Sequence, residues 1–141
     1  MKRLFRALGG ALLLLTLSAP AAFNSEMIRR PRTQEVWSKT ELYFGTQKPD
    51  GTAVSDQEFL QFVDQVVTPR FPAGLTLLTG FGQFLNSQSV LIKERSHLLI
   101  LFNPPLSAET NKKIDEIREE YKKRFQQESV LRADSLSSIS F

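Results

Sequence analysis

VLIKERSHLLILF, residues 90–102, is the stretch on which the fold of this chain turns. Val90, Ile92, Leu98, Ile100 and Phe102 share one parity, and Leu91, Leu99 and Leu101 share the other. Successive side chains of a strand point to opposite faces, so the second half of this run is apolar on both. Such a strand belongs in the middle of a sheet, or has its second face covered by a partner. Asn103-Pro104-Pro105 ends it.

The flanking segments supply the rest of the sheet and its cover. Residues 75–85 read as a preceding strand, with Leu75, Leu77 and Phe81 on one parity, and residues 86–89 make a short hairpin loop. Upstream, WSKTELYFG (37–45) alternates Leu42 and Phe44 against Glu41 and Tyr43, the period of a strand that Gly45 closes. TQKPDGTAV is then a loop around a Pro49-Asp50-Gly51 turn.

Two helices are expected. Ser55 can cap the first turn of one, with Glu58 as the reciprocal half of a capping box, and Phe59, Phe62, Val63, Val66 and Val67 form its apolar stripe. Pro69 removes a donor and turns Thr68 towards extended backbone, so this helix stops just before it. Ser107 caps the second, whose stripe is Ile114, Ile117, Tyr121 and Phe125 under a mixed-charge surface. The last strand is either 129–131 or, preferably, 135–141. The order is β-α-β-β-α-β: an α+β, ferredoxin-like two-layer sandwich, a four-stranded antiparallel sheet with two helices on one face. Its other face is solvated, closed by a second subunit, or used for binding.

The N-terminus reads as an export signal. MKRLFR carries three positive charges, an apolar run fills 8–17, and SAPAA places small residues at Ala19 and Ala21. We expect a secretory segment over 1–21, a flexible linker over 22–36 and one domain over 37–141, in a periplasmic or secreted protein. Retention of the segment as a membrane anchor is the alternative. The whole chain has 18 basic and 15 acidic residues, and Lys2, Arg3 and Arg6 would leave with the signal. What remains is near neutral, which argues against nucleic acid as a partner, because that affinity rests on neutralising many phosphates. Arg29, Arg30 and Arg32 read as a solvated cluster beside Pro31. There is no cysteine, so thiol chemistry and disulfides are excluded.

TELYFG, VTPRFPAGLT, the pair Gly82-Gln83 and YKKRFQQESVLR together resemble a bacterial family of small, often exported proteins of unknown function, over roughly 37–141. The resemblance implies no activity, cofactor or partner. Where such proteins often carry tryptophan after Gly-Gln, this chain has Phe84.

Candidate site residues follow from their chemistry. With one histidine and no cysteine, no metal or cofactor motif can be assembled, and none is expected. His97, Arg95 and Arg70 are the candidates for catalysis: a histidine for proton transfer and an arginine for an anion. His97 shares its parity with Lys93 and Arg95, a polar stripe expected on the open face. Tyr43, Gln83, Arg95 and Glu128 are the candidates for a small polar ligand. Structural roles are expected for Ser55, Glu58, Pro69, Arg70, Pro72, Gly74, Tyr121, Arg124, Gln127 and Ser129. Arg70, held between two prolines, should be tied to Glu58, Asp64 or a strand end. The leading functional expectation is a binding or interaction module using the open face, more a non-enzyme than an enzyme. Its partner would be a second copy or another extracytoplasmic protein. The alternative is a small cofactor-free enzyme with His97 as acid or base and an arginine holding an anionic substrate.

Overall fold

The computed structural model describes residues 34–141; the expected signal and most of the linker lie outside them. Strands β1 (Glu35–Gly45), β2 (Thr76–Leu85), β3 (Leu91–Asn103) and β4 (Leu131–Ile139) form one sheet in the order β2-β3-β1-β4, every neighbouring pair antiparallel. Helix α1 (Asp56–Phe62) continues into a π-helical segment (Val63–Val67), and α2 is Ala108–Phe125. The result is the ferredoxin-like sandwich, both helices on one face. β3 is indeed central, bonded to β2 on one side and β1 on the other.

Two edges differ from the expectation. β1 begins at Glu35, ahead of Trp37, because β4 is long enough to pair Glu35 with Ile139 and Trp37 with Ser137. β4 starts at the last residue of the first alternative considered for it and ends two residues short of the end of the second, since pairing along β1 carries it from Leu131 to Ile139 without a break.

The core follows the apolar stripes. Leu42, Phe44, Leu99 and Leu101 face inward from the sheet, and Phe59, Phe62, Val63, Val66, Val67, Ile114, Ile117, Tyr121 and Phe125 meet them from the helices. Phe44 sits edge-on to Tyr121 at 4.6 Å between ring centroids and to Phe59 at 5.5 Å, a geometry that adds to area burial. Burying one such ring is worth about 1.5–3 kcal/mol. The Tyr121 hydroxyl, deep in this cluster, donates to the carbonyl of Gly45 at 2.9 Å.

Both helix starts are capped as their residues allow. The Ser55 side chain accepts from the Glu58 amide, and Glu58 reaches back to the Ser55 amide at 2.8 Å. Ser107 accepts from the Thr110 amide at 3.0 Å. Before Pro69 the helix widens: the Thr68 amide donates five residues back, to Val63 at 2.8 Å. Phe71 then folds into the core, and Gly74, at φ 146°, takes a backbone that few side chains tolerate. Arg70 fastens this corner through two bonds, to the carbonyl of Val66 at 2.7 Å and to Glu116 at 3.2 Å. Its carboxylate partner comes from α2 and is neither Glu58 nor Asp64.

Among the described residues no helix is long and apolar enough to cross a membrane.

Candidate active site

The register of β3 corrects one expectation at once. His97 stands opposite Phe44, and Leu99 opposite Leu42, so residues 93, 95 and 97 lie on the helix side of the sheet. The polar stripe is therefore not on the open face. His97 itself is buried, stacked on Phe59 at 4.0 Å with the rings 10° from parallel. Its Nδ1 meets the Thr79 hydroxyl at 3.2 Å. Its Nε2, without a hydrogen-bond partner among the described residues, lies 3.7 Å from Oδ1 of Asp56. The other oxygen of Asp56 pairs with Arg95 at 3.1 Å, where both side chains are half exposed. Burial pulls His97 below the ordinary imidazole range; Asp56 works the other way, and Arg95 adds to the lowering.

A second grouping forms on the opposite face. At the end of β1, the distal half of the β2–β3 hairpin and the α2–β4 connection enclose a cleft of about 260 Å³. Tyr43, Glu94, Ser96, Glu128 and Ser129 supply its polar lining, with Phe84 and Leu131 as apolar walls. Of the four expected ligand residues, Tyr43 and Glu128 bring their side chains here. Gln83 borders the cleft, but it pairs with Lys93, so its side chain, like that of Arg95, leaves from the helix side of the sheet. Arg70 is at the helix-to-strand corner and lines neither grouping.

Local chemistry explains how the cleft is held open. Glu94 accepts from the amides of Thr46 at 2.6 Å and Gln47 at 2.5 Å, so its carboxylate replaces a strand partner where β1 ends. Gly45 makes room for it, since a Cβ there would run into the Glu94 carboxylate. On the far wall, α2 ends at Gln126 in the left-handed region, φ 54°, turning the chain towards β4. Gln127 then donates to the carbonyl of Gln47 at 3.0 Å. Glu128 accepts from the Ser87 hydroxyl at 2.9 Å and the Ser87 amide at 3.3 Å, tying the hairpin tip to the connection. Arg118 braces the same connection through the carbonyl of Val130, at 3.0 and 3.1 Å. Arg124 instead reaches α1's extension, bonding Gln65 at 2.9 Å.

Glu94 and Ser96 are the site residues that sequence reasoning missed. Their signal was present: they share the parity of Leu98 and Ile100, an open-face alternation broken by one carboxylate and one hydroxyl. Among the described residues no lysine or arginine lines the cleft. Two carboxylates without a cation create a field that favours a positive or neutral guest. Among the described residues no three His, Cys, Asp or Glu side chains group as metal ligands would.

A ferredoxin-like sandwich with acid–base side chains on both faces of its central strand is thus the class of protein described. The chain belongs to the family described as "Protein of unknown function (DUF3574)", which matches residues 39–141. No curated protein is found as a sequence relative. Among solved structures, the chain is similar to a phage SAM lyase in complex with S-methyl-5'-thioadenosine: TM-score 0.60, 16% identity, covering 74% of this chain and 90% of that one. The same match to the phage SAM lyase in its apo state gives TM-score 0.56 at 18% identity, covering 75% and 90%. What is shared at that identity is the fold. The expectation of a non-enzymatic module is nevertheless overturned: it rested on the lack of a catalytic motif, whereas this fold serves a lyase and the acid–base groups here converge in space.

Proposed function

We propose that this chain is a small enzyme acting on a neutral or cationic small molecule seated in the open-face cleft. The observation that carries the reading is the lining: a phenol, two carboxylates and two hydroxyls face one cavity, and among the described residues no cation stands with them. General acid–base chemistry needs such groups within reach of one substrate. Glu94, held by two backbone amides, serves as fixed negative charge; Glu128 is the proton acceptor and Tyr43 the hydroxyl donor. The likeness to a lyase crystallised with S-methyl-5'-thioadenosine supports adenosine thioethers and their parent sulfonium as first probes. A sulfonium carries the positive charge this lining favours, and Phe84 and Leu131 offer apolar contact to a base. The protein works outside the cytoplasm in this reading, for which the N-terminal sequence is the support.

The test is calorimetric titration of the full chain with S-adenosylmethionine and with S-methyl-5'-thioadenosine, alongside chromatography of the products. Saturable binding of the sulfonium, weakened by Glu94→Gln and by Tyr43→Phe, is the expected result. Absence of binding by either compound removes this substrate class. Binding that both substitutions leave unchanged removes the cleft.

A second reading is favoured by the unpartnered Nε2 of His97 beside Asp56. In it His97 is the acid or base and Arg95 holds an anionic substrate. Arg95 also lines an open groove with Phe81 and Lys93 that could seat one. His97→Gln separates the two readings: lost turnover with intact cleft binding supports the second, and full turnover removes it.

A further inference from the structure

We propose that two copies of this chain join edge to edge through β2, antiparallel about a two-fold axis at Phe81, so that their sheets run on as one. Among the described residues β2 ends the sheet, with β3 on one side and no strand on the other. Its sequence, TLLTGFGQFL, contains no charged residue and no proline. Soluble proteins guard their sheet edges with such residues, because an unpaired strand templates another. The opposite edge, β4, does carry charge, at Arg132 and Asp134.

The phase of the hydrogen bonds is right for a partner. Across the hairpin the Asn86 amide donates to the Val90 carbonyl at 3.0 Å. Even-numbered residues of β2 therefore bond inward to β3, and Leu77, Thr79, Phe81, Gln83 and Leu85 direct their N–H and C=O groups away from it. A two-fold axis perpendicular to the sheet must pair odd with odd and even with even, keeping each face on its own side.

The sequence itself names the occupant. LLTGFGQFL, residues 77–85, is a palindrome by residue class centred on Phe81. About that centre Leu77 meets Leu85, Leu78 meets Phe84, Thr79 meets Gln83, Gly80 meets Gly82, and Phe81 meets its own copy. Large apolar residues fall opposite large apolar residues, polar opposite polar, and glycine opposite glycine, the matching that stabilises cross-strand pairs. An unrelated partner would place no such demand on this strand, whereas an isologous interface requires it. The pairing also accounts for Phe81, which is 93% exposed, and for Leu85 at 64% and Leu78 at 52%.

The chain has no cysteine, so a single introduced thiol reports the register. Phe81→Cys would face its mate across a hydrogen-bonded pair, at about 5.5 Å between Cα atoms, within disulfide reach. Leu85→Cys would be about 27 Å from its mate, eight residues along the strand. The expected results for the full chain are a two-chain mass by sedimentation, oxidative cross-linking of Phe81→Cys but not of Leu85→Cys, and a monomer for Phe81→Lys, which sets two like charges face to face. A monomeric parent at its highest soluble concentration overturns the proposal. So does a dimer that Phe81→Lys leaves intact, or cross-linking of Leu85→Cys as ready as that of Phe81→Cys.

Discussion

The carboxylate of Glu94 lies against the Cα of Gly45, in the space a side chain there would fill. A flexible carboxylate could usually swing aside, but this one is held by the amides of Thr46 and Gln47. Gly45→Ala should therefore cost about 1–3 kcal/mol, the range for leaving such amides unsatisfied. Glu94→Ala removes the same bonds. Denaturant unfolding of both single variants and the double variant should give a double cost well below the sum, the mark of a shared interaction. Simple additivity would show that the two residues are not coupled.

His97 makes the fold sensitive to mild acid. Its folded pKa is depressed by burial, so above the ordinary value of about 6.5 the ring is neutral in both states and contributes no pH dependence. As pH falls below that value the unfolded chain takes up a proton that the folded chain resists, and stability declines until the folded pKa is passed. The unfolding midpoint should drop as pH falls below about 6.5, and His97→Gln should flatten that decline.

At lower pH the capping box takes over. Hydrogen bonds from the Ser55 amide and hydroxyl, then Lys48, hold Glu58 at about 2 instead of 4.5. Its contribution is present above pH 4.5 and is lost as pH falls towards 2. Ser55→Ala should remove about 0.5–2 kcal/mol at neutral pH. It should also weaken the acid dependence in that window, as read by stability curves at successive pH values.

Arg70 holds the corner through its fork. The bond to the Val66 carbonyl matters more than the ion pair, since Glu116 is 43% exposed and surface pairs contribute little. Arg70→Ala should cost about 1–2 kcal/mol and Glu116→Ala less than about 0.5 kcal/mol. Arg70→Lys should recover little, because a single ammonium cannot reproduce two divergent donors. Thermal unfolding of the three variants distinguishes this order from a purely coulombic one, in which Lys would restore most of the loss.

Tyr121 sets the alkaline limit. Burial, with Glu94 and Glu58 adding to it, raises its phenol far above the ordinary value of 10.0. The folded protein keeps this proton while the unfolded chain gives it up, so stability should fall as pH rises past about 10. Tyr121→Phe should abolish that decline while costing about 1 kcal/mol at neutral pH for the bond to Gly45.

Residue order alone determined the elements and their sequence along the chain. Period-two and period-three-to-four spacing, the serine caps and Pro69 are local facts, and a two-layer core is the way to bury the stripes they create. Phe44, Ile117 and Tyr121 were legible as core for that reason. Which face His97 occupies was not legible, because parity groups residues 93, 95 and 97 together without saying which side the helices cover. Only the register of β3 on β1, with His97 opposite Phe44, decides it. The cleft was half legible. Tyr43 and Glu128 could be gathered by their chemistry, but Glu94 enters only where β1 ends and its carboxylate takes over from the missing strand. A contact between residues 45 and 94 depends on how two strands part in space, and no local spacing in the sequence encodes that.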